Sequence, residues 1–296
     1  MTSPSMKQFD TIAILGIGLL GGSVGLAAKK RGLTRRVIGV ARTDHTLAIA
    51  RERGCADETT PDMAEAVHDA DLVVVATPVG SVSGALERIA EHVRPSALVT
   101  DVASTKATIC EAADRLLTGR ARFVGGHPMA GDDQVGVANA RDHLFEGCVW
   151  ALTPTAATSG EAVERLTEFA GCLGARIVEL DPAAHDRLVA ATSHLPHVVA
   201  AALVNAVWTV TDGHPSASAL TASGFRDTTR VAGAPADLWD DIVLDNAQAI
   251  LPTLEAALAQ LSALRGAVAA RDESAIHAFL DQARERRSLL LRKESS

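Results

Sequence analysis

The run Gly16-Ile17-Gly18-Leu19-Leu20-Gly21 constrains this chain more than any other feature. It follows the β-branched stretch Thr11–Leu15 and opens the apolar stretch Leu19–Arg31, so the glycines stand where a strand turns into a helix. In that setting Gly16 permits the tight turn. Gly18 lets backbone amides reach a pyrophosphate at a helix N-terminus, and Gly21 permits close packing of helix on strand. An ordinary glycine-rich turn needs neither flank. The expectation is a βαβ unit that binds a dinucleotide through Gly16, Gly18, Leu19, Leu20 and Gly21.

The rest of the first half agrees with that unit. Val37–Val40, Leu72–Ala76, Ala97–Thr100 and Arg122–Val124 read as further strands, with helices predicted at His45–Arg53, Val79–His92 and Lys106–Leu117 between them. Strand–helix alternation implies a mostly parallel sheet covered on both faces. Val149–Thr153 and Ala175–Leu180 read as two more strands around a helix at Gly160–Cys172. At Asp181-Pro182 the pattern changes to helical periodicity only: Pro182–Thr192, His197–Thr211, Ala236–Ala263 (with Pro252 kinking or splitting it) and Glu273–Leu291. Asp181 suits an N-cap with Pro182 at the first helical position. The fold class is therefore a Rossmann-type α/β domain, residues 8–180, followed by an all-α domain, residues 181–296, that ends in the charged tail RKESS.

Composition narrows the function. The 296 residues carry a net charge of −8, and that acidic balance argues against a nucleic-acid or membrane-surface role, which needs a basic face. The four cysteines (Cys55, Cys110, Cys148, Cys172) form no CxxC pair and read as small buried apolar residues in a reducing compartment. MTSPSMKQFD lacks an apolar signal core, and the apolar run Val198–Val210, broken by Asn205 and preceded by Pro196, is too short to span a bilayer. A cytoplasmic protein is expected.

Chemistry-bearing residues gather at the carboxyl ends of the expected strands, where ligands of open α/β sheets lie. Thr77-Pro78 closes one strand. Asp101 to Lys106 follows the next, with Ser104 either functional or a plain N-cap and Thr105 equally able to cap. His127 follows a third strand and Gly125-Gly126, glycines that would let a ligand approach, and a histidine there can shuttle a proton at neutral pH. After the second strand, where an acid normally bonds the adenosine ribose, the chain reads Val40-Ala41-Arg42-Thr43, and Asp44 comes late. Arg42 with Thr43 suits a 2′-phosphate, so NADP is preferred to NAD; Arg42 as a surface side chain or an adenine platform is the other reading.

In the helical half, His185, His194 and His197 cluster. His194 and His197 have a metal-like spacing, but Pro196 interrupts and no cysteine or carboxylate matches, so substrate contact is expected and no metal. His45, His68, His92, His143, His214 and His277 read as surface residues. Gly224-Phe225-Arg226-Asp227-Thr228-Thr229-Arg230 is a polar knot whose arginines suit a carboxylate ligand or an ion pair with Asp227, and Trp239 reads as core or interface.

Seven motifs in order (GIGLLGGS, VVVATPV, DVASTK, GGHPMAG, ATSHLPH, GFRDTTRVA and LWDDI) make the chain resemble the prephenate/arogenate dehydrogenases of tyrosine biosynthesis nearly end to end. The resemblance implies a Rossmann domain, a helical domain that forms a homodimer, and oxidative decarboxylation of a small cyclohexadiene substrate with hydride transfer to NAD(P). It implies His127 as catalytic histidine, Ser104 orienting the substrate hydroxyl, His197 in the substrate pocket and His185 near the cofactor side. It further implies Arg230 on a substrate carboxylate, Asp227 as its supporting acid, and Trp239 and the Gly224 loop contributed across the dimer. It leaves open prephenate against arogenate, inhibition by tyrosine, and Arg226 against Arg230. Dehydrogenases of the β-hydroxyacid or 6-phosphogluconate type would use a lysine of the second domain, and Asp181 to Leu291 contains none. A cofactor-sensing protein without turnover would need the glycine loop, but not His127, His197 and Arg230 together.

Overall fold

The computed structural model describes residues 9–131 and 134–292. The first eight residues, and the end of the tail from Lys293, lie outside the described residues. By compactness the chain divides into Met1–Ala247 and Gln248–Ser296, and every site residue below belongs to the first unit.

That unit is built on one eight-stranded sheet. Its strands are β1 (Phe9–Leu15), β2 (Thr34–Val40), β3 (Glu58–Thr60), β4 (Leu72–Val75), β5 (Leu98–Asp101), β6 (Arg122–Pro128), β7 (Val149–Thr153) and β8 (Arg176–Glu179), in the order β3-β2-β1-β4-β5-β6-β7-β8. β1 to β6 are parallel; β7 pairs antiparallel with β6, and β8 runs parallel to β7. Alternation along β1 sends Ile12 and Ile14 into one core and Ala13 and Leu15 into the other. The helices α1 (Leu19–Lys30), α2 (Asp44–Glu52) and α6 (Gly160–Cys172) contribute Val24, Ala50 and Phe169 to the first core. The helices α3 (Met63–Val67), α4 (Val79–Ile89) and α5 (Ala107–Leu117) contribute Val67, Leu86 and Ile109 to the second. The expected strands and helices of this half are present. Pattern reading missed β3 and α3, which are three and five residues long, too short to show a period.

The β6 end differs from expectation. β6 does not stop at Val124: it runs on through His127 and Pro128, where His127 pairs with Ala151 of β7. Gly125 and Gly126 accordingly do not open space for a ligand. A Cβ on Gly126 would lie 2.6 Å from the Asp101 carbonyl oxygen, and one on Gly125 2.3 Å from Thr153 Oγ1. These glycines let β5 and β7 close on β6.

Among the described residues, the regular elements that follow β8 are all helices. Compactness nevertheless groups residues 181–247 with the sheet. α7 (Pro182–Val189) is capped by Asp181, whose carboxylate accepts from Ala184 N at 2.9 Å. It continues through a π-helical turn, Ala190–His194, into α8 (Leu195–Thr211). Two separate helices divided at Pro196 were expected. Instead the wide turn just before Pro196 absorbs the proline, which cannot donate to the preceding turn. The resulting segment Pro182–Thr211 is long and apolar enough to cross a membrane by length and composition, against the expectation of a shorter run. α9 (Pro215–Leu220) and α10 (Ser223–Thr229) are short helices that periodicity did not show. α11 (Ala236–Asp245) ends at Asn246, so the stretch expected from Ala236 breaks there; α12 (Ala247–Ala270) passes through Pro252 without a break, and α13 (Glu273–Leu290) follows. Cys55 and Cys110 are buried as expected, whereas Cys148 is half-buried and Cys172 exposed.

Candidate active site

The glycine loop forms one wall of a cleft of about 540 Å³ at the carboxyl ends of β1, β2 and β4. Gly16 has φ +97°, and a Cβ there would meet the Ala76 carbonyl oxygen at 2.6 Å, so this turn requires glycine. Gly18 has open space beside its Cα, and Gly21 lies against the Gly16 carbonyl. Gly16, Gly18, Arg42, Thr43, Thr77 and Pro78 line the cleft, as does Arg88 from the last turn of α4, which sequence reasoning missed. Leu19, Leu20 and Gly21 belong to the first turn of α1 and do not line it. Thr43 is the N-cap of α2, its hydroxyl accepting from Thr46 N at 3.3 Å. No carboxylate is among the residues that line the cleft. Thr77 Oγ1 is buried without a protein partner, which fits a wall that receives a polar ligand.

Two strands along the same sheet from β4, β6 carries a buried histidine cluster. β6 brings His127, 8% exposed, against His185 of α7, with His127 Nδ1 2.9 Å from His185 Nε2. His185 Nδ1 is 2.8 Å from Asp186 Oδ1. A carboxylate only accepts, so His185 donates from Nδ1 and presents a lone pair on Nε2. His127 then donates from Nδ1, which leaves its Nε2 as the basic nitrogen. Asp186 is itself fixed by the backbone N–H groups of Lys106 and Ala107, 2.8 Å from Oδ1 and Oδ2. Its carboxylate thus caps α5, and Ser104, half-buried before that helix, is not the cap. His185, expected near the cofactor side, is joined to His127 and is not among the residues lining the cleft.

Burial pushes the His127 imidazole well below the usual histidine range, and the Lys106 ammonium, His185 and His194 push the same way. His194, held by Asn246 Nδ2 at 3.1 Å, is lowered to about 4 by burial, against the opposing pull of Asp186. His197, also lowered by burial, stacks on Trp239 of α11 with ring centroids 3.4 Å apart and planes at 12°. His194 meets the same indole edge-on at 5.9 Å. Trp239, read from the sequence as core or interface, packs on His197 of its own chain. His194 and His197 do not converge with a third ligand, and among the described residues no group of three or more His, Cys, Asp or Glu is arranged to hold a metal.

Gly224, Arg226 and Asp227 of α10 and Arg230 just after it are exposed, on a segment that packs on α8. The six remaining histidines are exposed, as expected. Sequence reasoning assigned no role to Asp186, Asn246 or Lys106. Asp186 stands next to His185, and that adjacency was the available signal.

Comparison with known proteins places this arrangement. Residues 24–179 match the nucleotide-binding domain of prephenate dehydrogenase, and residues 181–282 match its dimerization domain. The chain is 36% identical over 279 residues to the prephenate dehydrogenase of Bacillus subtilis (strain 168), covering 94% of this chain and 75% of that protein. It is 33% identical over 272 residues to the cyclohexadienyl dehydrogenase of Zymomonas mobilis, covering 90% and 91%. Its fold is similar to that of the Aquifex aeolicus prephenate dehydrogenase in complex with hydroxyphenyl propionate and NAD+, with TM-score 0.89 and 27% identity over 97% of this chain and 100% of that one. It is also similar to the Synechocystis arogenate dehydrogenase, with TM-score 0.81 and 35% identity over 95% and 100%. Sheet, glycine cleft, histidine cluster and these matches together make the chain a member of the prephenate dehydrogenase family.

Proposed function

We propose that the chain converts prephenate to 4-hydroxyphenylpyruvate by oxidative decarboxylation, in tyrosine biosynthesis. The observation that carries the mechanism is the Asp186–His185–His127 chain, which leaves a neutral His127 with Nε2 as a base. His127 Nε2 takes the proton of the ring hydroxyl, and Ser104 orients that hydroxyl. A nicotinamide dinucleotide held by the glycine loop, Arg42, Thr43 and Thr77 would supply the acceptor for the hydride of the hydroxyl-bearing ring carbon. The carbonyl so formed draws in the electrons of the ring carbon–carboxylate bond as carbon dioxide leaves, the ring becomes aromatic, and His127 returns the proton to the phenolate oxygen. His197, held against Trp239, lines the substrate side, and Arg230, with Asp227 and the Gly224 loop, holds the carboxylate without stabilising it against departure.

The cleft takes NAD(P), with NADP preferred. Arg42 and Arg88 supply cations, and no carboxylate lines the cleft to repel a 2′-phosphate. The helical region forms a homodimer in the cytoplasm. The dimerization-domain match supports the homodimer, as does the exposed apolar surface of α8 and α11, where Trp208 is 70% and Leu244 75% exposed. Arogenate is the second reading, favoured by the likeness to an arogenate dehydrogenase. The test is absorbance at 340 nm with each substrate and each cofactor. Higher kcat/KM on prephenate supports the first reading, higher kcat/KM on arogenate the second, and no reduction with either removes both.

A further inference from the structure

Lys106 is the sole lysine between Lys30 and Lys293, and it is fully buried. Its ammonium is paired with the Asp101 carboxylate and donates to the Gly126 carbonyl oxygen at 2.7 Å. Asp101 in turn accepts from Gly126 N at 3.1 Å and from Ala103 N at 3.0 Å. The backbone N–H of Lys106 donates to Asp186 Oδ1 at 2.8 Å. One residue therefore touches both supports of His127: the peptide just before it and the carboxylate that orients His185.

Stability alone gives little reason for such a residue. Removing an ammonium and a carboxylate from water is costly, and an apolar pair of similar size is often as stable. Without exposed surface, Lys106 cannot touch substrate or cofactor, so any effect on chemistry passes through its neighbours. We propose that Lys106 is a positioning residue for His127: it ties the end of β5 to the strand that carries the imidazole, and it sets the electrostatic field in which that ring accepts a proton.

The charges around His127 show why the ammonium matters. Asp101 faces it from β5, but its charge is tied to Lys106. α7 contributes His185 and Asp186, with Asp186 held on the α5 N-terminus, and the π-helical turn contributes His194. β7 contributes Ala151 and Trp150, which carry no charge. Lys106 is thus the one fixed cation in this set, and it opposes a second positive charge on the ring.

This inference rests on His127 being the base, which His127→Asn tests separately through its loss of turnover. The test here is the pH profile of kcat, together with the imidazole titration of His127 by ¹⁵N NMR, in the full chain. Lys106→Gln keeps a donor towards Gly126 and removes the cation, leaving Asp101 charged. The acid limb and the imidazole titration are expected to move to higher pH by about one unit or more. Asp101→Asn combined with Lys106→Gln makes a neutral hydrogen-bonded pair, and its limb is expected between the other two. A fall in kcat with both readouts unmoved would overturn the proposal and leave Lys106 a structural brace. If Lys106→Gln does not fold, the double variant decides: titration at the wild-type position overturns the proposal. Loss of turnover in His127→Asn with no shift in Lys106→Gln defeats this inference and leaves the base assignment standing.

Discussion

His127 Nδ1 lies 2.9 Å from His185 Nε2, across 58 residues of chain, and this contact determines which nitrogen of His127 is basic. The carboxylate of Asp186 fixes the proton of His185, and His185 fixes that of His127. Asp186→Asn removes the obligate acceptor and lets both rings take the other tautomer. A fall in kcat of about 10–10²-fold with KM within a few-fold is expected. A fall in KM-controlled binding alone, with kcat kept, would show that Asp186 serves only as the cap of α5.

Acid should destabilise the fold before the carboxylates titrate. His127 and His194 are held below the ordinary value of 6.5, His194 at about 4. Well above pH 6.5 both are neutral in the folded and the unfolded chain, so there they add no pH dependence. As pH falls below 6.5 the unfolded chain binds protons that the folded chain refuses, and stability is lost down to the folded value. Tm is expected to fall between pH 6.5 and 5. His194→Gln, which keeps a partner for Asn246, should flatten part of that slope. An equal slope in both proteins would contradict the assignment.

Much of this was legible in the sequence, and the reason is locality. The glycine turn, the strand ends and the capping Asp181 each depend on residues a few positions apart, so a pattern shows them. The pairing of His127 with His185, the stacking of His197 on Trp239 and the burial of Lys106 against Gly126 depend on tertiary contact and leave no local period. Gly125-Gly126 misled for a related reason: a glycine pair signals close approach, and only the fold shows that neighbouring strands are what approach it. The π-helical turn was hidden because a proline inside an apolar run reads as a boundary.

Arg230→Ala is expected to raise KM for the ring-carboxylate substrate with little change in kcat. A charge-assisted pair of this sort contributes about 1.5–3 kcal/mol, or roughly 10–150-fold in KM if all of it is lost. Arg226, four residues earlier on the same exposed segment, is the control. Should Arg226→Ala raise KM while Arg230→Ala does not, the gripping arginine is Arg226.

The cofactor assignment predicts the outcome of a single exchange at the end of β2. Ala41 lines the cleft next to Arg42. Ala41→Asp places a carboxylate where it repels a 2′-phosphate and can bond a ribose 2′-hydroxyl. The ratio of kcat/KM for NADP over NAD should exceed one in the wild type and fall in the variant. A wild-type ratio below one would make Arg42 an adenine-side residue and NAD the cofactor.

The most direct measurement is single-turnover and steady-state reduction of the nicotinamide, followed at 340 nm with prephenate, in the wild type and in His127→Asn. Asparagine keeps a side chain of similar reach and removes the basic nitrogen. The expected result is a loss of about 10²–10⁴-fold in kcat with prephenate affinity nearly unchanged. A variant that turns over within a few-fold of the wild type would contradict His127 as the base, and with it the Asp186–His185–His127 chain as the source of the chemistry.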